Sequence, residues 1–176
     1  MVVLSVAGLS STILDTAERI DTRNVEGRLI RLIHGLEMIR KGNLLGVGPG
    51  CYRLASSHYF GHTMDAHNLY GELAGDLGLP GIIIWCLLMF HTLKNFSAVR
   101  KILDGAGLHD HPIYMLNAGF QASLIVRLFV SLGSHGLYFF YWYIAAVVSA
   151  ALLNVAKRMS EQARLPGLTA NPILSP

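Results

Sequence analysis

Between Pro112 and Ala156 the chain carries a single charged side chain, Arg127. Folded soluble domains keep about a quarter of their residues charged, so a stretch this long and this poor in charge is expected to lie in lipid or inside an apolar assembly. The whole chain shows the same deficit: of 176 residues, 52% are hydrophobic and only 14% charged, with a mean hydropathy of +0.44. The charge is crowded into residues 15–41 and thins out beyond them. A net charge of +3 and a pI near 9 could suit a nucleic-acid partner. No arginine or lysine stripe interleaves with aromatics, however, and no recognition-helix or finger spacing is present, which argues against nucleic acid. Cys51 and Cys86 are too few and too differently placed for a disulfide framework or a thiolate metal site.

Three stretches have the length and polarity of spanning helices, for which roughly 20 mostly apolar residues are needed. The first covers about Leu79 to Phe96, the second about Tyr114 to Leu132, and the third about Leu137 to Ala156. The aromatic cluster Tyr138 to Tyr143 suits a membrane interface. Lys94 at the end of the first span is followed by Arg100 and Lys101, and Lys157, Arg158 and Arg164 follow the third, while the GSHG turn between the second and third has no lysine or arginine. The positive-inside rule puts the basic groups and the C-terminus in the cytoplasm, and residues 15–78 outside. Residues 1–14 are apolar but short for a span, and are expected to be the end of a further transmembrane helix of a longer protein or assembly. The fold class is thus all-α and polytopic. It comprises that stub, an extracytoplasmic helical loop over 15–78, a three-helix transmembrane region over 79–156 and a cytoplasmic tail over 157–176.

Within the loop, VEGRLIRLIHGLEMIRK places Leu29, Leu32, Ile33, Leu36 and Ile39 on one helical face, an amphipathic helix for the membrane surface or for other helices. Gly46, Gly48, Pro49 and Gly50 rule out helix in LLGVGPGCY, and residues 51–64 read as irregular. A short helix fits 66–77, with Asp65 as its cap and Gly78 and Pro80 ending it.

His67 is the leading candidate for chemistry. In the first turn of that helix the positive end of the dipole disfavours imidazolium and leaves a ring able to accept a proton; the alternative is a structural or surface histidine. Asn68 and Glu72 can orient or accompany it, and the helix N-terminus can help hold an anion. Arg28 and Arg31, three apart, can clamp a phosphate or pyrophosphate or contact lipid headgroups, and Arg40, Lys41 and Arg53 can extend that basic surface. Arg127, about six residues from the outer end of its span, either lines a cavity or snorkels outward. GVGPG completes no phosphate-loop pattern. The spacing of His58, His62 and His67 is too loose for a metal site, and no metal or cofactor is expected.

The order of these segments, GRLIRLIHGLEMIRKG, then LLGVGPGCY, then DAHNLYGELAGDLGLPGIIIW, resembles the O-antigen ligase and polymerase superfamily of bacterial surface-polysaccharide assembly, over roughly Gly27 to Trp85. The resemblance implies a C-type glycosyltransferase fold, here partial, in the bacterial inner membrane. It also implies transfer or polymerisation of an undecaprenyl-diphosphate-linked glycan onto a sugar hydroxyl of lipid A-core or of another glycan, without metal or nucleotide sugar. By the same resemblance, His67 corresponds to the catalytic loop histidine and Arg28 to the arginine opening the amphipathic helix. Arg31, Arg53, Asn68, Glu72 and Arg127 remain candidates for substrate binding. Members commonly have a tryptophan early in the helix after that arginine, where this chain has aliphatic residues, and they have ten or more spans. The chain is therefore expected to be part of a split or truncated protein, or to pair with a second chain; the alternative is a non-catalytic subunit of a polysaccharide assembly system.

Overall fold

The computed structural model describes residues 26–134 and 136–164. The expected N-terminal stub and most of the expected tail lie outside the described residues. Among those described there are helices and no strand, as the all-α expectation required. The helices are α1 over 26–40, α2 Tyr52–Phe60, α3 Leu69–Gly105, α4 Pro112–Val130 and α5 Tyr141–Arg164. Two compact units divide them. One holds the described residues up to Ile82 together with Phe129–Leu137, and the other holds Ile83–Leu128 and the residues from Tyr138 onward.

In the first unit, α1 and the start of α3 meet through glycine. A Cβ on Gly35 would collide with the Gly71 carbonyl, and one on Gly71 would lie 2.8 Å from the Arg31 carbonyl oxygen. Gly75, one turn on, lies under the Tyr52 ring and the Met38 sulfur. Small residues four apart let two helices approach to backbone contact, so α1 turns its Gly35 and Met38 face inward. Of the aliphatic stripe expected to face the membrane or other helices, Leu29, Ile33 and Leu36 stay about half exposed and Leu32 and Ile39 are half-buried. Met38 and Tyr52 are almost fully buried with Ala55 and Ala66, and enclosing a methionine of this kind contributes about 1.5–3 kcal/mol.

The glycine-rich loop repairs a break in α3. Gly78 has φ 61 and ψ −157, and Pro80 follows it within the helix. Proline lacks an N–H, so the Asp76 carbonyl, four residues earlier, loses its helical donor. Gly48 N–H donates to that carbonyl at 3.0 Å and Val47 N–H to the Gly75 carbonyl at 2.9 Å, while Leu79 N–H donates to Leu44 O at 2.9 Å. Close approach requires the glycines here: a Cβ on Gly46 or Gly78 would run into the opposing backbone. The expected interruption at Gly78 and Pro80 is therefore present, but the helix resumes beyond it.

Residues 52–60, expected to be irregular, form α2. Cys51 at its start gives no side-chain cap, and Gly61 closes it at φ 76 with its N–H bonded to Ser57 O at 3.0 Å. The missing cap comes from Asp76, which is 1% exposed: Oδ2 accepts from Gly50 N–H at 2.8 Å and Oδ1 from Tyr52 N–H at 2.7 Å.

In the second unit, Phe96, Val99, Leu103, Leu124, Trp142, Ala145 and Ala156 are buried. Asn117 Nδ2 donates to Phe96 O at 3.0 Å, Asn95 Nδ2 to Ser149 Oγ at 3.2 Å, and Trp85 meets Trp142 edge to face at 5.7 Å. Asn117 is buried with its Oδ1 left unpaired and Asn95 is half-buried, so these bonds fix helix register more than they add net stability.

Among the described residues two helices are long and apolar enough to cross a membrane, α3 and α4. The third expected span, over Leu137 to Ala156, differs: α5 begins only at Tyr141 and carries Lys157 and Arg158 within it, so its continuous apolar part is shorter than the sequence suggested. The basic connection expected after the first span is also helical, since Lys94, Arg100 and Lys101 lie on α3, which runs on to Gly105.

Candidate functional site

The site residues of the first unit surround the start of α3. That start is one turn later than the sequence implied. The cap is Asn68, whose Oδ1 accepts from Tyr70 N–H at 3.0 Å and Gly71 N–H at 3.2 Å, the arrangement expected of an asparagine cap. Asp65 instead faces Arg53, with Oδ1 4.0 Å from Nε. His67 therefore lies just outside the helix, exposed, at φ 38. A non-glycine residue there is held against a local cost of about 1–3 kcal/mol, a pattern that gathers at functional positions.

Two further expectations change. The Asn68 side chain is buried and engaged on both sides, since its Nδ2 also donates to Leu132 O at 2.9 Å; it builds the site. The α3 N-terminus is closed to an anion because its first amides are occupied: Leu69 N–H donates to Ser131 O and Glu72 N–H to Asn68 O, both at 3.0 Å, and Asn68 Oδ1 takes the two between. Glu72 is likewise structural on one side, its Oε2 accepting from Gly136 N–H at 3.3 Å and Leu137 N–H at 3.2 Å.

Arg28 lies at a groove of about 600 Å³ whose walls include Leu29, Leu32, Phe129, Val130 and Leu132. Its guanidinium rests against the turn after α4, where a Cβ on Gly133 would come within 2.6 Å of an Arg28 nitrogen. Asn68 lines the same groove. Arg31, one turn along α1, has its Nε enclosed without a hydrogen-bond partner, and its carbonyl accepts from Tyr52 Oη at 2.6 Å. Burial pushes the Tyr52 phenol up to about 12, so it remains a donor.

Arg53 is not part of that groove. It lies with Asp65, Ala66, Glu72 and Asp76 around a separate hollow of about 270 Å³. His67 follows Ala66, which lines this hollow, and precedes Asn68, which lines the groove.

The basic surface expected around Arg40 and Lys41 is partly neutralised. Arg40 forms a fork with Glu37 at 2.9–3.0 Å, holding that carboxyl below its usual range. Lys41 Nζ lies 4.6 Å from the Phe60 ring centroid. The His34 ring stacks on Phe60 at 3.9 Å, and its proton affinity is lowered by burial, then by His62 and Lys41.

Arg127 belongs to the second unit. It occupies the last turn of α4, which ends at Val130, and its guanidinium lies 5.5 Å from the Phe139 ring centroid and 5.8 Å from that of Tyr141. Cation–π contact and the negative end of the helix dipole both stabilise it there. Among the described residues no group of histidine, cysteine, aspartate or glutamate could hold a metal ion.

Asp76, Tyr52 and Gly133 were not singled out from sequence, although a proline four residues after Asp76 does mark a backbone carbonyl in need of a donor. Comparison with family models, curated proteins and solved structures gives no match.

Proposed function

We propose that this chain carries the catalytic loop of a membrane glycosyltransferase of the O-antigen ligase and polymerase type. In this reading it moves a glycan from undecaprenyl diphosphate to a sugar hydroxyl of lipid A-core or of a growing glycan. The observation that carries the reading is the groove at Arg28: a guanidinium against aliphatic walls, with His67 one residue from Asn68 on its edge. A lipid diphosphate needs both features, a cation for the phosphates and apolar surface for the prenyl chain. Two further facts support a bilayer setting. α3 and α4 are long and apolar enough to span it, and only 33% and 11% of their most apolar stretches are buried within the protein. With the apolar part of α5 taken as a third, shorter crossing, the positive-inside rule orients the chain in a bacterial inner membrane with the His67 loop outside and the C-terminus cytoplasmic.

In this mechanism His67 accepts the proton of the acceptor hydroxyl as its oxygen attacks the anomeric carbon. The bond from that carbon to the diphosphate oxygen breaks, and Arg28, with Arg31 beside it, stabilises the charge that develops on the leaving diphosphate. No metal or cofactor enters this scheme. The half-exposed stripe of Leu29, Ile33 and Leu36 on α1 supports a second reading, in which the chain is a subunit that docks this face on lipid or on a second chain and does no chemistry itself. Replacing His67 with alanine separates the two. Loss of glycan transfer from undecaprenyl-diphosphate glycan in the complete assembly, at unchanged membrane abundance, is expected of the enzyme; retained transfer would sink it.

A further inference from the structure

The groove at Arg28 leaves a second, chemically different surface unused. The hollow beside Arg53, Asp65, Glu72 and Asp76 shares Gly50 and Arg53 with another of about 320 Å³ that is lined by Ser57 and Thr63. Arg53 thus stands between two parts of one polar trough. Together they reach the size of ordinary ligand pockets, about 300–1,000 Å³. We infer that this trough is the subsite for the acceptor glycan, that it takes an uncharged or amino sugar, and that it discriminates against a phosphorylated one. The inference rests on the glycosyl-transfer reading for the word acceptor, but the binding it asserts can be measured without transfer.

Charge assigns the two surfaces to different ligands. Three carboxylates and one guanidinium border the trough, whereas Arg28 is the one charged residue lining the groove. A diphosphate is repelled by the first and held by the second. Sugar hydroxyls have the opposite preference, because each can donate to a carboxylate and accept from a guanidinium or hydroxyl.

The geometry fits a hydroxyl as well. Arg53 Nε and Asp65 Oδ1 are 4.0 Å apart, with side chains 68% and 54% exposed. That is beyond direct hydrogen-bonding distance, yet a hydroxyl placed between them can accept from one and donate to the other. Glu72 uses Oε2 for the amides of Gly136 and Leu137, and Asp76 is fixed by those of Gly50 and Tyr52. The acidic wall is therefore held in place before any ligand arrives, which lowers the entropic cost of binding. His67 directly follows Ala66 of this trough and precedes Asn68 of the groove, so the proposed base lies in the chain between the two surfaces. Arg53 accordingly positions the acceptor and does not clamp phosphate.

The test uses the full chain in lipid nanodiscs and titrates three probes by saturation-transfer NMR: N,N′-diacetylchitobiose, its free diamine and glucose 6-phosphate. The two unphosphorylated sugars are expected to bind, with the phosphorylated one about tenfold weaker or worse. Arg53→Gln and Asp65→Asn, both near-isosteric, should each weaken disaccharide binding about tenfold, while Arg28→Ala leaves it unchanged. No disaccharide binding, stronger binding of the phosphate, or loss on Arg28→Ala with retention in Arg53→Gln would overturn the inference. Retained transfer in His67→Ala alongside Arg53-dependent sugar binding would instead overturn the catalytic reading and leave the trough standing.

Discussion

Asp76 Oδ1 accepts a 2.7 Å hydrogen bond from the backbone N–H of Tyr52, the first residue of α2. Its other oxygen takes Gly50 N–H, and its own carbonyl, left without a helical donor by Pro80, takes Gly48 N–H. One buried residue on α3 thus fixes both the glycine-rich loop and the start of the helix that carries Arg53.

Asp76→Ala is expected to lower stability by about 3 kcal/mol, because a charge-assisted pair is lost and two amides are left enclosed. Asp76→Asn should cost about half as much, since one oxygen remains to accept. Thermal unfolding of the detergent-solubilised protein checks the order, and equal stability of Asp76→Ala and wild type would refute the role.

The crossing of α1 over α3 should be similarly intolerant of side chains. Gly71→Ala is expected to cost about 1–3 kcal/mol, as an inserted methyl meets the Arg31 carbonyl and forces the helices apart. Gly119→Ala on α4, where a Cβ meets nothing within 4 Å, should instead be neutral or stabilising by about 0.5–1 kcal/mol. The same unfolding measurement compares the pair.

Removing the strain at His67 should separate stability from activity. His67→Gly suits φ 38 without a Cβ penalty and is expected to raise stability by about 1 kcal/mol. Under the proposed mechanism it also abolishes glycan transfer, so a more stable, inactive protein is the expected result. A less stable variant would mean that the ring is held by contacts worth more than the strain.

Acid should weaken the first unit through His34. Burial, His62 and Lys41 lower its proton affinity from the ordinary value of 6.5, so the unfolded chain takes up the proton first. The stability associated with the neutral ring is full above pH 6.5 and declines as pH falls below it. The effect should be small because the ring is only partly enclosed, a few degrees in the unfolding midpoint. His34→Phe, which keeps the stack on Phe60, is expected to flatten the decline relative to wild type, and identical pH profiles would refute it.

Local pattern was sufficient for the apolar helices α3 and α4, for the non-helical course of GVGPG and for the interruption at Gly78 and Pro80. Each depends on residues near in sequence: hydropathy over a turn or two, glycine's freedom, proline's missing donor. Pattern named His67, Arg28, Asn68 and Glu72 as candidates, but it did not show that Asn68 and one oxygen of Glu72 hold backbone 64–65 residues away. Only tertiary structure made α2 a helix, because its cap comes from Asp76, 24 residues on. Only tertiary structure chose the inward face of α1, because the close approach at Gly35 and Gly71 depends on two glycines 36 residues apart meeting in space. It also divided the arginines, setting Arg28 in an apolar groove and Arg53 in an acidic trough, a distinction of surroundings that no spacing along the chain encodes.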